Sequence, residues 1–172
     1  MRTFAALLVL FTALVGGCDP EATPAPEPEP EPEPEPVLPP CDEAGSLYGI
    51  DLTRNRFDLT PGIQVPVLLG FQGFLFLELG LRSPTELKSS MDIFTRVQLE
   101  GGADLTATTS EMRSSHDPDT GWRSDPVLVF FNDVPLAELH GKHATLTASA
   151  ATSTCVLTGS VDVLLFDGGV AP

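Results

Sequence analysis

The side chains most capable of chemistry in this 172-residue sequence are three cysteines, Cys18, Cys41 and Cys155, and two short polar clusters. The first cluster is Asp117-Pro118-Asp119-Thr120-Gly121, whose alternate carboxylates before a glycine have the spacing that opens a calcium loop. A complete loop of that kind also has a third oxygen ligand and a bidentate acid at position 12. Here Trp122 and Arg123 follow the glycine and position 12 is Leu128. The stretch therefore reads first as a turn held by aspartate side chains, with calcium at Asp117 and Asp119 as the alternative. The second cluster, His140-Gly141-Lys142-His143, offers two imidazoles, but zinc needs three or four ligands. Glu138 and the distant His116 do not complete a set, so the histidines read as flanking a surface turn and no metal site is expected.

Nucleophilic catalysis has no visible framework. The serines are plentiful, but no Gly-x-Ser-x-Gly elbow is present, and neither is a phosphate-binding or dinucleotide fingerprint. A carboxylate pair for glycoside hydrolysis is defined by separation in space, and nothing in the sequence selects one. The expectation is a protein without catalytic residues or a resident cofactor. The best candidate for recognition is the polar stretch 110–126, where Asp117, Asp119, Trp122 and Arg123 lie together. Loops on a rigid scaffold carry function, and tryptophan anchors binding more often than most residues. The plainer alternative folds Trp122 over the end of the core.

Charge limits the partners. The sequence holds 9 Lys and Arg against 24 Asp and Glu, a net −15. Seven of those acids fall in residues 19–40 and one base, Arg2, in the first 17, so residues 41–172 keep 17 acids against 8 bases, a net −9. Such a domain repels phosphate backbones, and nucleic-acid binding is not expected.

The elements that place these residues begin with an apolar run from Phe4 to Val15 behind Arg2. It is too short to span a bilayer comfortably and has the length of a signal-peptide core. Leu14-Val15-Gly16-Gly17-Cys18 then resembles the lipobox of bacterial lipoprotein signal peptides, in a relaxed form of Leu-Ala-Gly-Cys. The resemblance implies a covalent diacylglycerol on the Cys18 thiol, cleavage after Gly17, an acylated new amino terminus and anchoring in a lipid bilayer. Several acyl chains on one residue exceed what stable anchoring needs. Asp19 resembles the enteric signal for inner-membrane retention, which other lineages do not follow, so the membrane stays open. With Cys18 lipidated, Cys41 and Cys155 are an even pair whose disulfide would contribute roughly 4–5 kcal/mol in a chain-entropy account; two free thiols are the alternative.

Residues 18–40 form the next segment, with Glu-Pro repeated five times from Glu27 to Pro36. Proline fixes φ and removes a donor while the glutamates repel, so the expectation is a disordered, extended polyproline II spacer reaching up to about 60 Å. A Pro-rich ligand for a partner is the weaker reading of so acidic a repeat.

From Cys41 the pattern changes to short apolar runs between turn residues. Ile63–Leu69 alternates, with Pro66 pointing to an edge or a bulge. Phe74–Arg82 is apolar at the start of both faces, as a central strand would be. Met91–Glu100 and Cys155–Phe166 alternate most strictly. Ser46–Asp51, Phe57–Leu59, Asp104–Thr109, Val127–Phe131 and Ala144–Ala150 supply the remaining strands, Val134–His140 a loop or helical turn, and 110–126 a loop. The expectation for 41–172 is all-β: a single antiparallel β-sandwich, immunoglobulin-like in architecture, with a jelly roll or a small closed barrel as alternatives.

Val67-Leu68-Leu69-Gly70-Phe71-Gln72-Gly73-Phe74 with Leu81-Arg82 resembles a Gly-x-Gln-Gly segment of uncharacterised myxobacterial-type lipoproteins. The likeness covers some twenty residues, and Phe74 and Leu75 replace the glycine and histidine that follow it elsewhere. It implies the same envelope location and transfers no site. The expectation is thus an envelope lipoprotein: residues 1–17 signal peptide, 18–40 lipidated cysteine and linker, 41–172 a binding or structural domain with an envelope protein or glycan as partner. A small envelope enzyme or carbohydrate-binding module using 110–126 is the alternative.

Overall fold

Alternating side chains drive the architecture. In a computed structural model that describes residues 37–170, the strands are β1 (Ser46–Ile50), β2 (Arg56–Asp58), β3 (Gln64–Leu69), β4 (Leu75–Ser83), β5 (Ser90–Leu99), β6 (Asp104–Asp117), β7 (Gly121–Ser124), β8 (Val127–Phe130), β9 (His143–Ala151) and β10 (Val156–Val170), with a helical turn α1 (Leu136–Leu139) before β9. β5 turns Met91, Ile93, Val97 and Leu99 inward, β9 turns Ala144, Leu146, Ala148 and Ala150, and β10 turns Leu157, Val161, Val163 and Leu165. The leucines and isoleucine contribute roughly 1.5–3 kcal/mol each when fully buried. The period of two, not any single contact, fixes which face they occupy.

These faces enclose a barrel. Strand follows strand in the order β4-β3-β10-β9-β5-β6-β7, and β7 pairs back to β4 at Arg82↔Arg123 and Ser83↔Trp122. β1 lies on the second half of β4 with β2 outside it, and β8 lies on the first half. The domain is therefore all-β as expected, but it is a closed barrel with extra strands in place of a two-layer sandwich. The physical reason is β7. It joins β6 to β4 and removes an edge that a sandwich would leave.

Three local expectations are corrected. The pairing is not wholly antiparallel, because β3 runs parallel to β10 from Leu164↔Gln64 onward. The edge expected at Pro66 is local and does not extend along β3: β10 pairs along one side, and β4 pairs only with Leu68 and Leu69, leaving the second side of Pro66 without a ladder partner. Finally, 110–126 is not a loop. Most of it belongs to the β6–β7 hairpin, whose turn is confined to Pro118, Asp119 and Thr120.

Close approach of an aromatic ring to the backbone explains one glycine. A Cβ at Gly80 would overlap the Tyr48 ring, which lies across it fully buried. The ring's hydroxyl donates to the Ser124 carbonyl at 2.6 Å, and Ser124 Oγ accepts the Leu81 N–H at 3.1 Å, tying β1, β4 and β7 together. Burial pushes the Tyr48 hydroxyl above its ordinary range.

Cys41 and Cys155 form a disulfide with Cα atoms 5.0 Å apart. Around it the Val156 N–H donates to the Pro39 carbonyl at 2.7 Å and the Cys41 N–H to the Val156 carbonyl at 3.0 Å. The start of the domain is thus pinned to β10. The lipobox, Cys18 and the Glu-Pro run to Pro36 lie outside the described residues.

Candidate functional site: an aromatic groove

The outer surface of β4 carries the most exposed aromatic cluster of the described residues. It begins at the β3–β4 turn. The Gly70 N–H donates to the Phe74 carbonyl and the Gly73 N–H to the Gly70 carbonyl, both at 2.9 Å, and Gly73 has φ +84°, a conformation glycine adopts without strain. This tight turn holds Phe71 out of the protein, 92% exposed.

Two strands make the floor. β4 and β8 pair at Phe76↔Phe130 and Glu78↔Leu128, so these four side chains share the outward face while Leu77, Leu79, Val127 and Val129 face the core. Phe130 meets Phe74 edge-on with ring centroids 6.2 Å apart and Phe76 at 6.1 Å. Such pairs are favourable and preorganise the surface. Yet Phe130 stays 41% exposed and Leu128 44%. Together with Pro126, Asn132 and the turn they line an open groove of about 1030 Å³.

One ion pair sits in this apolar surface. Glu78 is only 6% exposed, and the Arg54 guanidinium bonds its carboxylate from a side chain left 66% exposed. A turn built by Asp51 aims Arg54. Its carboxylate accepts the Thr53 hydroxyl at 2.7 Å and the N–H groups of Thr53 and Asn55 at 2.8 and 2.9 Å. The Thr53 hydroxyl and then these amides hold the Asp51 carboxyl below the usual carboxylate range. Arg54 itself takes φ +66°, a left-handed conformation that costs a non-glycine residue about 1 kcal/mol.

No family model, curated protein or solved structure matches the chain. The groove's meaning therefore rests on its own geometry. Among the described residues no helix is long and apolar enough to cross a membrane, and no three His, Cys, Asp or Glu side chains gather as a metal site would require.

The residues singled out for recognition lie elsewhere. Asp117 accepts the Asp119 N–H at 3.0 Å and the Arg123 guanidinium at 2.6 Å, and these contacts, the amide first, lower its pKa. Trp122 is half-buried against the core and meets His116 edge-on at 5.2 Å. The four residues share the β6–β7 hairpin, and Trp122 and Arg123 close the barrel at the far end of β4 from the groove. The histidines divide as well: His140 Nδ1 accepts the Asp167 N–H at 3.1 Å, while His143 begins β9.

Sequence reasoning passed over Arg54, Phe71, Phe74, Phe76, Glu78, Leu128 and Phe130. A signal was present. Phe74 and Phe76 are apolar on the face opposite the β4 leucines, and Glu78 follows them on that same face. A strand apolar on both faces reads as a central strand, which β4 is, and its second apolar face is the groove.

Proposed function

We propose that this chain is a lipid-anchored envelope protein whose barrel binds a partner through the aromatic groove and performs no catalysis. The observation that carries this reading is the groove: Phe71 and Phe74 on the hydrogen-bonded β3–β4 turn and Leu128 and Phe130 on β8 stay exposed side by side. Scattered surface hydrophobes are ordinary, but a contiguous aromatic patch held open by backbone hydrogen bonds suits recognition.

The anchor reading rests on the lipobox and on Cys18, and the Glu-Pro run serves as its spacer. The barrel's own geometry agrees with such a tether. The chain enters at Pro39–Cys41, where Cys41 and Thr85 share one recess beyond the end of β4. The near end of the groove is Glu78, five residues back along β4 from Ser83, roughly 15–17 Å at strand spacing. The point where the chain enters the barrel is therefore apart from the groove.

Two experiments on the expressing cell test the parts. Cys18→Ser should move the protein from the membrane to the soluble fraction; retention in the membrane removes the anchor. Phe71→Ser together with Leu128→Ser should abolish partner association seen by crosslinking in the envelope while the barrel stays folded. Association unchanged by that pair removes the groove.

A further inference from the structure

Next to the groove the barrel wall has an unpaired strand edge. β8 pairs with β4 along one side, and among the described residues no strand pairs with the other. Across the opening, β6 has β7 beside it from Ser114 to Asp117 and the Asp125 N–H on the Arg113 carbonyl at 2.7 Å, so its residues before Arg113 also lack a strand neighbour on that side. Register shows which groups are free. The Phe131 N–H donates to the Leu75 carbonyl at 2.9 Å, which makes Phe131↔Leu75, and with it Val129↔Leu77 and Val127↔Leu79, the hydrogen-bonded pairs of the antiparallel ladder. Leu128 and Phe130 therefore direct their N–H and C=O groups away from β4, along the free edge.

The same two residues supply the exposed apolar side chains of the groove. A row of free backbone groups beside alternate apolar contacts is the arrangement by which sheets accept an added strand. We propose that β8 takes up an extended segment of another polypeptide as an extra strand, with apolar residues at alternate positions lying on Leu128, Phe130 and Phe74, small apolar residues between them on the face of Val127 and Val129, and cationic residues at its two ends. The charge follows from the domain's net −9 and from Asp125 and Asp133, the exposed acids that bracket β8 in the sequence. The chain's own Glu-Pro run does not fit: its prolines lack the N–H groups the edge requires, and its glutamates are repelled. This inference rests on the groove being the binding surface and adds how the partner is held.

The test uses the full chain, reconstituted in phosphatidylcholine nanodiscs, and a synthetic seven-residue peptide with lysine at each end and valine alternating with alanine between them. Two N-methylated isomers accompany it, one methylated at two of the valines and one at both alanines. A strand uses the donors of one edge only, so one isomer should lose at least tenfold in affinity and the other should bind as the parent does. Glutamate in place of lysine should also weaken binding at least tenfold, and Phe130→Ser should do the same with the far-ultraviolet spectrum unchanged. If both isomers bind like the parent while Phe130→Ser still weakens binding, strand addition is wrong and the groove stands. If no peptide binds the chain, or if the edge is taken by a second copy in a concentration-dependent dimer, the proposal is overturned; indifference to Phe130→Ser would remove the groove as well.

Discussion

Arg54 reaches Glu78 from a left-handed backbone: φ is +66° at the arginine, and the carboxylate it neutralises is 6% exposed in the floor of the groove. A carboxylate so placed needs a charged partner, and the turn made by Asp51 supplies one at the expense of local strain. Arg54→Ala should lower unfolding free energy by about 1–2 kcal/mol, less than a fully buried pair would lose because the arginine is open to solvent. Adding Glu78→Gln should recover most of it. Arg54→Gly relieves the φ penalty and should be less damaging than Arg54→Ala by several tenths to 1 kcal/mol. Urea denaturation of the three variants checks the order; equal losses for alanine and glycine would show that the backbone carries no strain.

Tyr48 and Gly80 make a second test. Gly80→Ala pushes a methyl into the Tyr48 ring and breaks its bond to the Ser124 carbonyl, for an expected loss of about 3 kcal/mol or more. Tyr48→Phe removes only the hydroxyl, leaves the Ser124 carbonyl unpaired by it, and should lose about 1–2 kcal/mol. Thermal unfolding followed by circular dichroism distinguishes them. A smaller effect from Gly80→Ala than from Tyr48→Phe would contradict the packing described.

Parts of this architecture were legible in the sequence, and the reasons differ by element. β5 and β10 announced themselves because each has one face in the core and one in water, so hydropathy alternates. The Cys41–Cys155 pairing followed from assigning Cys18 to a lipid, since an odd count became even. The hairpin of β6 and β7 beyond Thr109 was hidden because its inward positions include Ser114 and Ser124, which read as loop residues out of context. Barrel closure and the parallel β3–β10 pair were invisible because both join segments distant in sequence. The groove was obscured for a different reason. Phe76, Glu78, Leu128 and Phe130 become one surface only through the β4–β8 register.

The disulfide closes a separation of 114 residues. Cys41→Ser with Cys155→Ser should destabilise the domain by about 2–5 kcal/mol. Reductant should lower the wild-type melting temperature toward that of the double variant and leave the variant unmoved. A reductant-insensitive wild type would contradict the bridge.

Acid sensitivity follows from three carboxylates, one exposed and two half-buried, held below their ordinary range. Asp51 is lowered first by the Thr53 hydroxyl, Asp104 by its hydrogen bonds from Arg96, one of them 2.8 Å, and Asp117 first by the Asp119 N–H. Each pKa is depressed on folding, so the unfolded chain takes up protons first. The stability these groups add is present above about pH 4 and is lost as pH falls through their folded values. Measured against the triple variant Asp51→Asn, Asp104→Asn and Asp117→Asn, wild type should hold an advantage in urea midpoint at pH 7 that shrinks below pH 4. An advantage that grows on acidification would reverse the sign.

The groove as a partner-binding surface is tested most directly by photocrosslinking in the expressing cell. A photoreactive phenylalanine analogue at Phe71, which is 92% exposed at the groove wall, should capture a polypeptide upon illumination. The same analogue at Ser160, exposed on the outer face of β10, should capture none. A distinct adduct at position 71, lost when Leu128→Ser is added, is the result this account predicts. Identical patterns at positions 71 and 160 would contradict it.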